Sequence, residues 1–254
     1  MNGNYYLSVY GIFFILSVVF SVLINSLFLR FVRTLGIRNQ QDTIIRWGSQ
    51  SKPAVGGFSF YIIFLMSIIC YSIFFDNNQV FLSKQFIGIL LSSMLGFLLG
   101  LADDAYDTKP MLKLSTQITC GIILMVTGTT INVSSTETIN SILTVFWVVG
   151  IMNSLNMLDN MDAISTTVSI SIILSAITVM LFHHDLNSVY LMIMLGVMAA
   201  LSGFLYFNWN PSKMYMGDTG SMFLGVFLSA MGIRYLWNAE PPSGDLISAR
   251  NLLL

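Results

Sequence analysis

Three carboxylates fall within five positions in the stretch Leu101-Ala102-Asp103-Asp104-Ala105-Tyr106-Asp107, directly after an almost unbroken apolar run from Phe86. A carboxylate at the edge of such a run is costly unless a cation, a partner or a proton compensates it. Asp103 and Asp107 are four apart, so a continuing helix sets them on one face, and Asp104 and Asp107, three apart, are neighbours. Carboxylate oxygens suit a hard divalent cation and also serve as general bases. For this stretch alone, a solvated acidic loop fits equally well.

A second constellation follows another apolar run: Asn153, Asn156, Asp159 and Asp162 recur at every third residue. On an α-helix they make a slanting polar stripe, and a local tightening to 3₁₀ aligns them. Solvation alone gives no reason for so regular a spacing. The third constellation runs from Asn208 through Asn210, Pro211, Lys213, Gly217, Asp218 and Gly220 to Ser221. Pro211 stops an arriving helix, and Gly217 and Gly220 permit a tight turn with close backbone approach to a ligand. Ser221 is expected to cap the helix that follows, whose first N–H groups are then open to phosphate. A capped turn with a solvated Asp218 is the bland alternative. The fourth, Lys52-Pro53-Ala54-Val55-Gly56-Gly57, offers Lys52 as a point charge for phosphate, or simply as an anchor beside a turn. Carboxylates, a divalent cation and neighbouring lysines are together the chemistry of holding a diphosphate.

The elements that must position these groups are membrane helices. The 254 residues are 55% hydrophobic and 9% charged, against roughly 25% charged in a soluble domain. Candidate spans are Tyr5–Leu29, Gly57–Phe75, Gln85–Leu101, Leu114–Ile131, Ile139–Leu155, Ile164–Phe182, Ser188–Phe207 and Ser221–Leu236, each near the roughly 20 residues needed to cross hydrocarbon. None has the alternation of a membrane barrel. The fold class is therefore all-α, a polytopic helix bundle of about eight spans. It forms one membrane domain, 1–236, followed by a short polar tail, 237–254. Tyr5–Leu29 is too long for a signal-peptide core and is expected to be retained. Cys70 and Cys120 both fall inside spans and read as small hydrophobes. No basic cluster points to nucleic acid.

Arg30, Arg33, Arg38, Arg46 and Lys52 follow the first span, Lys109 and Lys113 the third, and Lys213 the seventh. The excess of Lys/Arg puts these loops in the cytoplasm of the plasma membrane, with both termini outside. Gln41 and Ser212 are then cytoplasmic and Asn78 external. The small residues Gly96, Gly100, Ala199, Ala200 and Gly203 admit close packing within one chain or between two copies, so a homodimer stays open.

The ordered set Lys52-Pro53-x-x-Gly56-Gly57, Asp103-Asp104-x-x-Asp107, Asn153-x-x-Asn156-x-x-Asp159-x-x-Asp162 and Met216-Gly217-Asp218-x-Gly220-Ser221 resembles the polyprenyl-phosphate N-acetylhexosamine-1-phosphate transferases. The match runs from about Arg38 to Gly225. The resemblance implies an enzyme with Mg²⁺ as cofactor (Mn²⁺ as the alternative ion) that moves HexNAc-1-phosphate, GlcNAc-1-phosphate first among them, from a UDP-N-acetylhexosamine to undecaprenyl phosphate. UMP is released and a cell-envelope glycan is begun. It implies Asp103, Asp104 and Asp162 as catalytic residues, Asp218 with Asp104 as metal ligands, and Asn156, Asp159, Lys52, Lys113 and Lys213 as substrate contacts.

Three departures from the family pattern stand out. Asn160 and Ala163 replace the glycines usual after the two aspartates of the second motif. The tail Glu240–Leu254 matches no family element. The histidine-bearing loop of the pattern has no counterpart here, where His183 and His184 fall in an expected outer loop. Weak or absent activity of this chain alone, with poor affinity for the UDP-sugar but retained Mg²⁺ binding, is therefore expected, and an inactive scaffold is one rival. An ion transporter is the other, but transporter sites tend to lie near the midplane, whereas these carboxylates sit at span ends.

Overall fold

The structure is a computed structural model that describes residues 3–34, 53–75, 78–182 and 188–239. Its helices are α1 (Gly3–Thr34), α2 (Gly56–Phe74), α3 (Lys84–Tyr106), α4 (Pro110–Val126), α5 (Glu137–Leu158), α6 (Ile164–Phe182), α7 (Val189–Asn208) and α8 (Gly217–Gly232), with a 3₁₀ turn at Asn78–Leu82 and a wide turn at Ile233–Trp237. Seven of these, α8 with its wide turn included, are long and apolar enough to cross a membrane; α4 is shorter. The chain is a multi-pass membrane helix bundle. Helices satisfy their own backbone groups, which hydrocarbon requires. The one β-bridge among the described residues, Ala54 to Tyr215, sits outside the spans.

α8 is the axis. It packs against α3, α5, α2 and α6, while α7 packs against α1, α2 and α6, and α4 against α3 and α5. Every residue of α8 except Asp218 is buried. Phe60 and Phe64 of α2 and Phe223 and Phe227 of α8 form part of the core, with Phe64 edge-on to Phe223 at 5.4 Å between ring centroids. The α3–α8 approach is closer still: a Cβ on Gly100 would overlap the carbonyl oxygen of Asp218.

The helix boundaries differ from expectation mainly where polar residues lie. α3 runs on to Tyr106 rather than stopping at Leu101, so Asp103 and Asp104 lie in its last turn. Asp107 ends it in the left-handed conformation, φ 52°, so it does not share a helical face with Asp103. α4 begins at Pro110 rather than Leu114, because proline is pre-organised for the first helical position; Lys113 thereby joins its first turn. It ends at Val126, before Gly128 at φ 87°. α8 begins at Gly217 rather than Ser221, so Ser221 lies a turn inside the helix and caps nothing. The expected polar stripe breaks at Leu158: Asp159 is the C-cap of α5, and Ala163, at φ 64°, turns the chain into α6.

Candidate active site

The end of α3 and the beginnings of α4 and α8 meet at one end of the bundle, beside the end of α5. Asp103 is buried, its side chain 4% exposed. Its Oδ1 accepts from the backbone N–H of Thr108 at 2.9 Å and from the Thr108 hydroxyl at 2.5 Å. Its Oδ2 pairs with the Lys113 ammonium. Lys113 Nζ also reaches Asp218 Oδ2 at 3.1 Å, so a single ammonium bridges two aspartates from different helices. Asn156 Nδ2 donates to Asp218 Oδ1 and to Ser221 Oγ at 3.1 Å. The result is one charged network on four helices, Asp103–Lys113–Asp218–Asn156. Asp218 is its most open carboxylate, with a side chain 28% exposed.

The first N–H groups of α8 are already taken. Asp104 Oδ1 accepts from Asp218 N at 3.0 Å, and its Oδ2 from Thr219 N at 2.9 Å and Thr219 Oγ1 at 2.6 Å. Asp159 Oδ2 accepts from Gly217 N at 3.1 Å, and its Oδ1 from Ser165 Oγ at 3.1 Å. Two carboxylates from other elements thus cap this helix, where negative charge is favoured by the unpaired N–H groups and the macrodipole. The expected phosphate position on the N–H groups of α8 is therefore occupied by the protein's own acids. Burial pushes the Asp159 carboxyl up from 3.8 to about 7. The Ser165 hydroxyl and the Gly217 N–H oppose that rise, and the nearby Asp218 charge adds to it.

The leader into α8 is stitched to the leader into α2. Tyr215 N donates to Pro53 O at 3.1 Å, Gly56 N to Tyr215 O at 3.2 Å and Gly57 N to Met216 O at 3.0 Å. Gly217 adopts φ 75°, where a side chain would be strained. Gly220 makes no turn; it lies within α8 against Gly57, so its small size serves helix contact and not a ligand.

Other expected site residues lie elsewhere. Asp162 Oδ2 accepts from Ser212 N at 3.0 Å and Asn210 Nδ2 at 3.2 Å, and Oδ1 from Ser212 Oγ at 2.6 Å. It clamps the α5–α6 turn to the α7–α8 loop, and none of these contacts is to the Lys113 network. Lys213 is exposed, with its ammonium 5.7 Å from the centre of the Tyr206 ring. Lys52, Gln41, His183, His184 and the tail from 240 lie outside the described residues.

Thr108 and Gln117, not singled out from sequence, and Asn208, named there only as the start of the third constellation, hold the arrangement. Thr108 orients Asp103. Buried Asn208 accepts from Ala163 N at 3.1 Å and Thr166 Oγ1 at 2.8 Å, and donates to Met214 O at 3.0 Å. Buried Gln117 exchanges hydrogen bonds with Asn153, at 2.9 and 3.3 Å. A lone amide within an apolar helix was the available signal for Gln117.

The donor set is all oxygen apart from the lysine. Among the described residues no group of three or more His, Cys, Asp or Glu side chains forms a metal cage. Mg²⁺ is ordinarily held by one or two carboxylates plus substrate phosphates and water; Asp218 facing Asp103 across Lys113 fits that mode, whereas Asp104, expected as the second ligand, has both oxygens committed to the start of α8.

A model of the family described as "Glycosyl transferase family 4" matches residues 86–236. Among curated proteins, the Bacillus subtilis (strain 168) protein named "Probable undecaprenyl-phosphate N-acetylglucosaminyl 1-phosphate transferase" is 29% identical over 196 residues, 74% of this chain and 52% of that protein. Phospho-N-acetylmuramoyl-pentapeptide-transferase of Streptococcus agalactiae serotype Ia is 28% identical over 244 residues, 86% of this chain and 71% of the relative. The enzyme of the same name from Staphylococcus carnosus is 30% identical over 212 residues, 74% and 63% of the two chains. The chain spans about half the length of the Bacillus relative. The matched segment takes in Asp103, Lys113, Asn156 and Asp218 and more than half of the sequence, and the chain belongs to glycosyl transferase family 4.

Proposed function

We propose that this protein transfers a HexNAc-1-phosphate, specifically GlcNAc-1-phosphate, from a UDP-sugar to undecaprenyl phosphate at the cytoplasmic membrane face. The observation that carries the reading is the Asp103–Lys113–Asp218–Asn156 network at one end of the spans. Family membership and the names of the relatives support the reaction class; the name of the Bacillus relative favours GlcNAc over the muramoyl-pentapeptide donor.

An oxygen of the lipid phosphate attacks the β-phosphorus of the UDP-sugar. The bond from that phosphorus to the bridging oxygen breaks, and UMP leaves with the electron pair. A phosphate monoester has a second pKa of about 6, so the acceptor is largely dianionic at neutral pH and chiefly needs positioning. Asp103, fixed by Thr108, holds the Lys113 ammonium where it meets the acceptor phosphate. Lys113 neutralises phosphate charge near the two aspartates, as pre-organised electrostatics requires. Asp218, held by Asn156 and open on one side, would hold Mg²⁺ together with Asp103. Bound there, the ion would supply Lewis-acid polarisation of the diphosphate. Asp104 and Asp159 keep the start of α8 in place and leave its N–H groups no role in phosphate binding. The carboxylates stand in the last turn of α3 and the first turn of α8, not at mid-membrane as in an ion transporter.

The test is UMP release by the purified chain in detergent, with undecaprenyl phosphate and Mg²⁺, offered UDP-GlcNAc, UDP-GalNAc or UDP-MurNAc-pentapeptide. Release with UDP-GlcNAc alone is expected. Release only with the pentapeptide donor reassigns the substrate, and no release with any donor favours the inactive scaffold over the transferase.

A further inference from the structure

At the opposite end of the bundle stands a cation with no acid beside it among the described residues. Arg234 lies in the turn Ile233–Trp237, about 24 Å along the helix axis from Asp218 at 1.5 Å per residue. Its guanidinium carbon is 4.1 Å from the centre of the Tyr190 ring and 5.7 Å from that of Tyr235. Its Nε contacts the Tyr235 hydroxyl at 3.3 Å. Among the described residues no carboxylate pairs with it. Arginine carries five N–H donors in a fixed fork, and this contact engages one of them.

Arg234 lines a cleft of about 390 Å³. Gln85, Thr129 and Asn132 supply polar groups, and Val179 and Met180 of α6 supply an apolar wall. The rim is fixed: Asn132 N donates to Asn238 Oδ1 at 2.9 Å, and Asn238 Nδ2 to Thr130 O at 2.7 Å. An ionised side chain at the end of a membrane span is costly without a partner. The tyrosine faces offset part of that cost and hold the guanidinium plane in one orientation. A planar fork held in this way matches phosphate oxygens in pairs. The end of a span lies at headgroup level, and Val179 and Met180 belong to α6, which is itself long and apolar enough to cross a membrane. Basic pockets between membrane helices take lipid headgroups by this chemistry.

We propose that the Arg234 cleft binds the phosphate of an anionic lipid headgroup, with the first part of an acyl chain against Val179 and Met180. The inference is independent of the transferase reading.

Native mass spectrometry of the detergent-solubilised chain, titrated with dioleoylphosphatidylglycerol, should show one retained lipid, and less retention of dioleoylphosphatidylcholine. Arg234→Gln should weaken retention at least about tenfold, equivalent to roughly 1.4 kcal/mol. Arg234→Lys keeps the charge without the fork and should fall between. Asn132→Asp sets a carboxylate at the rim, leaves the arginine in place and should also lower retention, so the inference remains testable if Arg234→Gln fails to fold. Equal retention of phosphatidylglycerol by wild type and Asn132→Asp, or by wild type and a folded Arg234→Gln, overturns the site. Equal retention of the two lipids overturns the anionic preference. Displacement of the lipid by equimolar inorganic phosphate assigns the site to a free anion and overturns the lipid.

Discussion

Asp218 is the one residue of α8 that is not buried, and Lys113 and Asn156 both hold its carboxylate. Asp218→Asn keeps size and removes charge, so UMP release should fall by roughly 10²–10³, the cost of losing one pre-organised transition-state contact. Near-normal turnover with unchanged Mg²⁺ dependence would refute the role. Asp159 gives a different signature. Burial raises its carboxyl from 3.8 to about 7, so the folded chain keeps a proton that the unfolded chain has lost. Its contribution to stability is full below pH 3.8, declines as pH rises towards 7 and is absent above that. The melting temperature should therefore be lower at about pH 8 than at about pH 5, and Asp159→Asn should flatten the difference. An unchanged pH dependence in the Asn variant would exclude Asp159 as its source. The types and spacing of Asp103, Asp159 and Asp218 were legible in the sequence. That Asp104 serves as a helix cap was not, because it depends on which side of the last turn of α3 faces α8. The resemblance implied a catalytic role for Asp162, and its partner Ser212, from a loop fifty residues on, was equally out of reach of the sequence.

Helix lengths were read from apolar runs, which report the span but not where a helix stops once its polar residues find tertiary partners. α3 continues through Asp103 and Asp104 because Thr108, Lys113 and the start of α8 satisfy them. The third-residue spacing of Asn153 to Asp162 suggested one continuous stripe, but capping at Asp159 sends its last two members in other directions. The α3–α8 contact rests on the absence of a side chain at Gly100. Gly100→Ala must displace Asp218 backbone atoms, and overpacking of this kind costs about 1–3 kcal/mol. Lower thermal stability together with reduced UMP release is expected. An alanine variant with wild-type melting and wild-type turnover would show that the two helices separate without consequence.

Across the whole molecule, Arg30, Lys109, Lys113 and Lys213 lie at the aspartate end and Lys84 and Arg234 at the other, the asymmetry on which the proposed cytoplasmic orientation rests. Ser212 is buried against Asp162 and makes a poor labelling position. Cysteines introduced at the exposed positions Lys109 and Asn160 serve better, against Leu82 and Glu137 at the far end. An impermeant maleimide added to intact cells should label only the second pair; labelling of all four, or of the first pair alone, would overturn the orientation. The envelope of the bundle meets lipid through helices such as α1, which carries exposed Leu7, Ile12, Ile15, Leu16, Val19, Leu23 and Leu27. α8 is enclosed by its neighbours along its whole length. Hydrophobic mismatch is therefore borne mainly by the outer helices, which can tilt, while α8 from Gly217 to Gly232 is shielded from lipid and meets it only through the turn that follows. Turnover in vesicles should accordingly vary little as acyl chains are lengthened or shortened, and a steep optimum at one chain length would show that thickness reaches the site by way of α3 or α5.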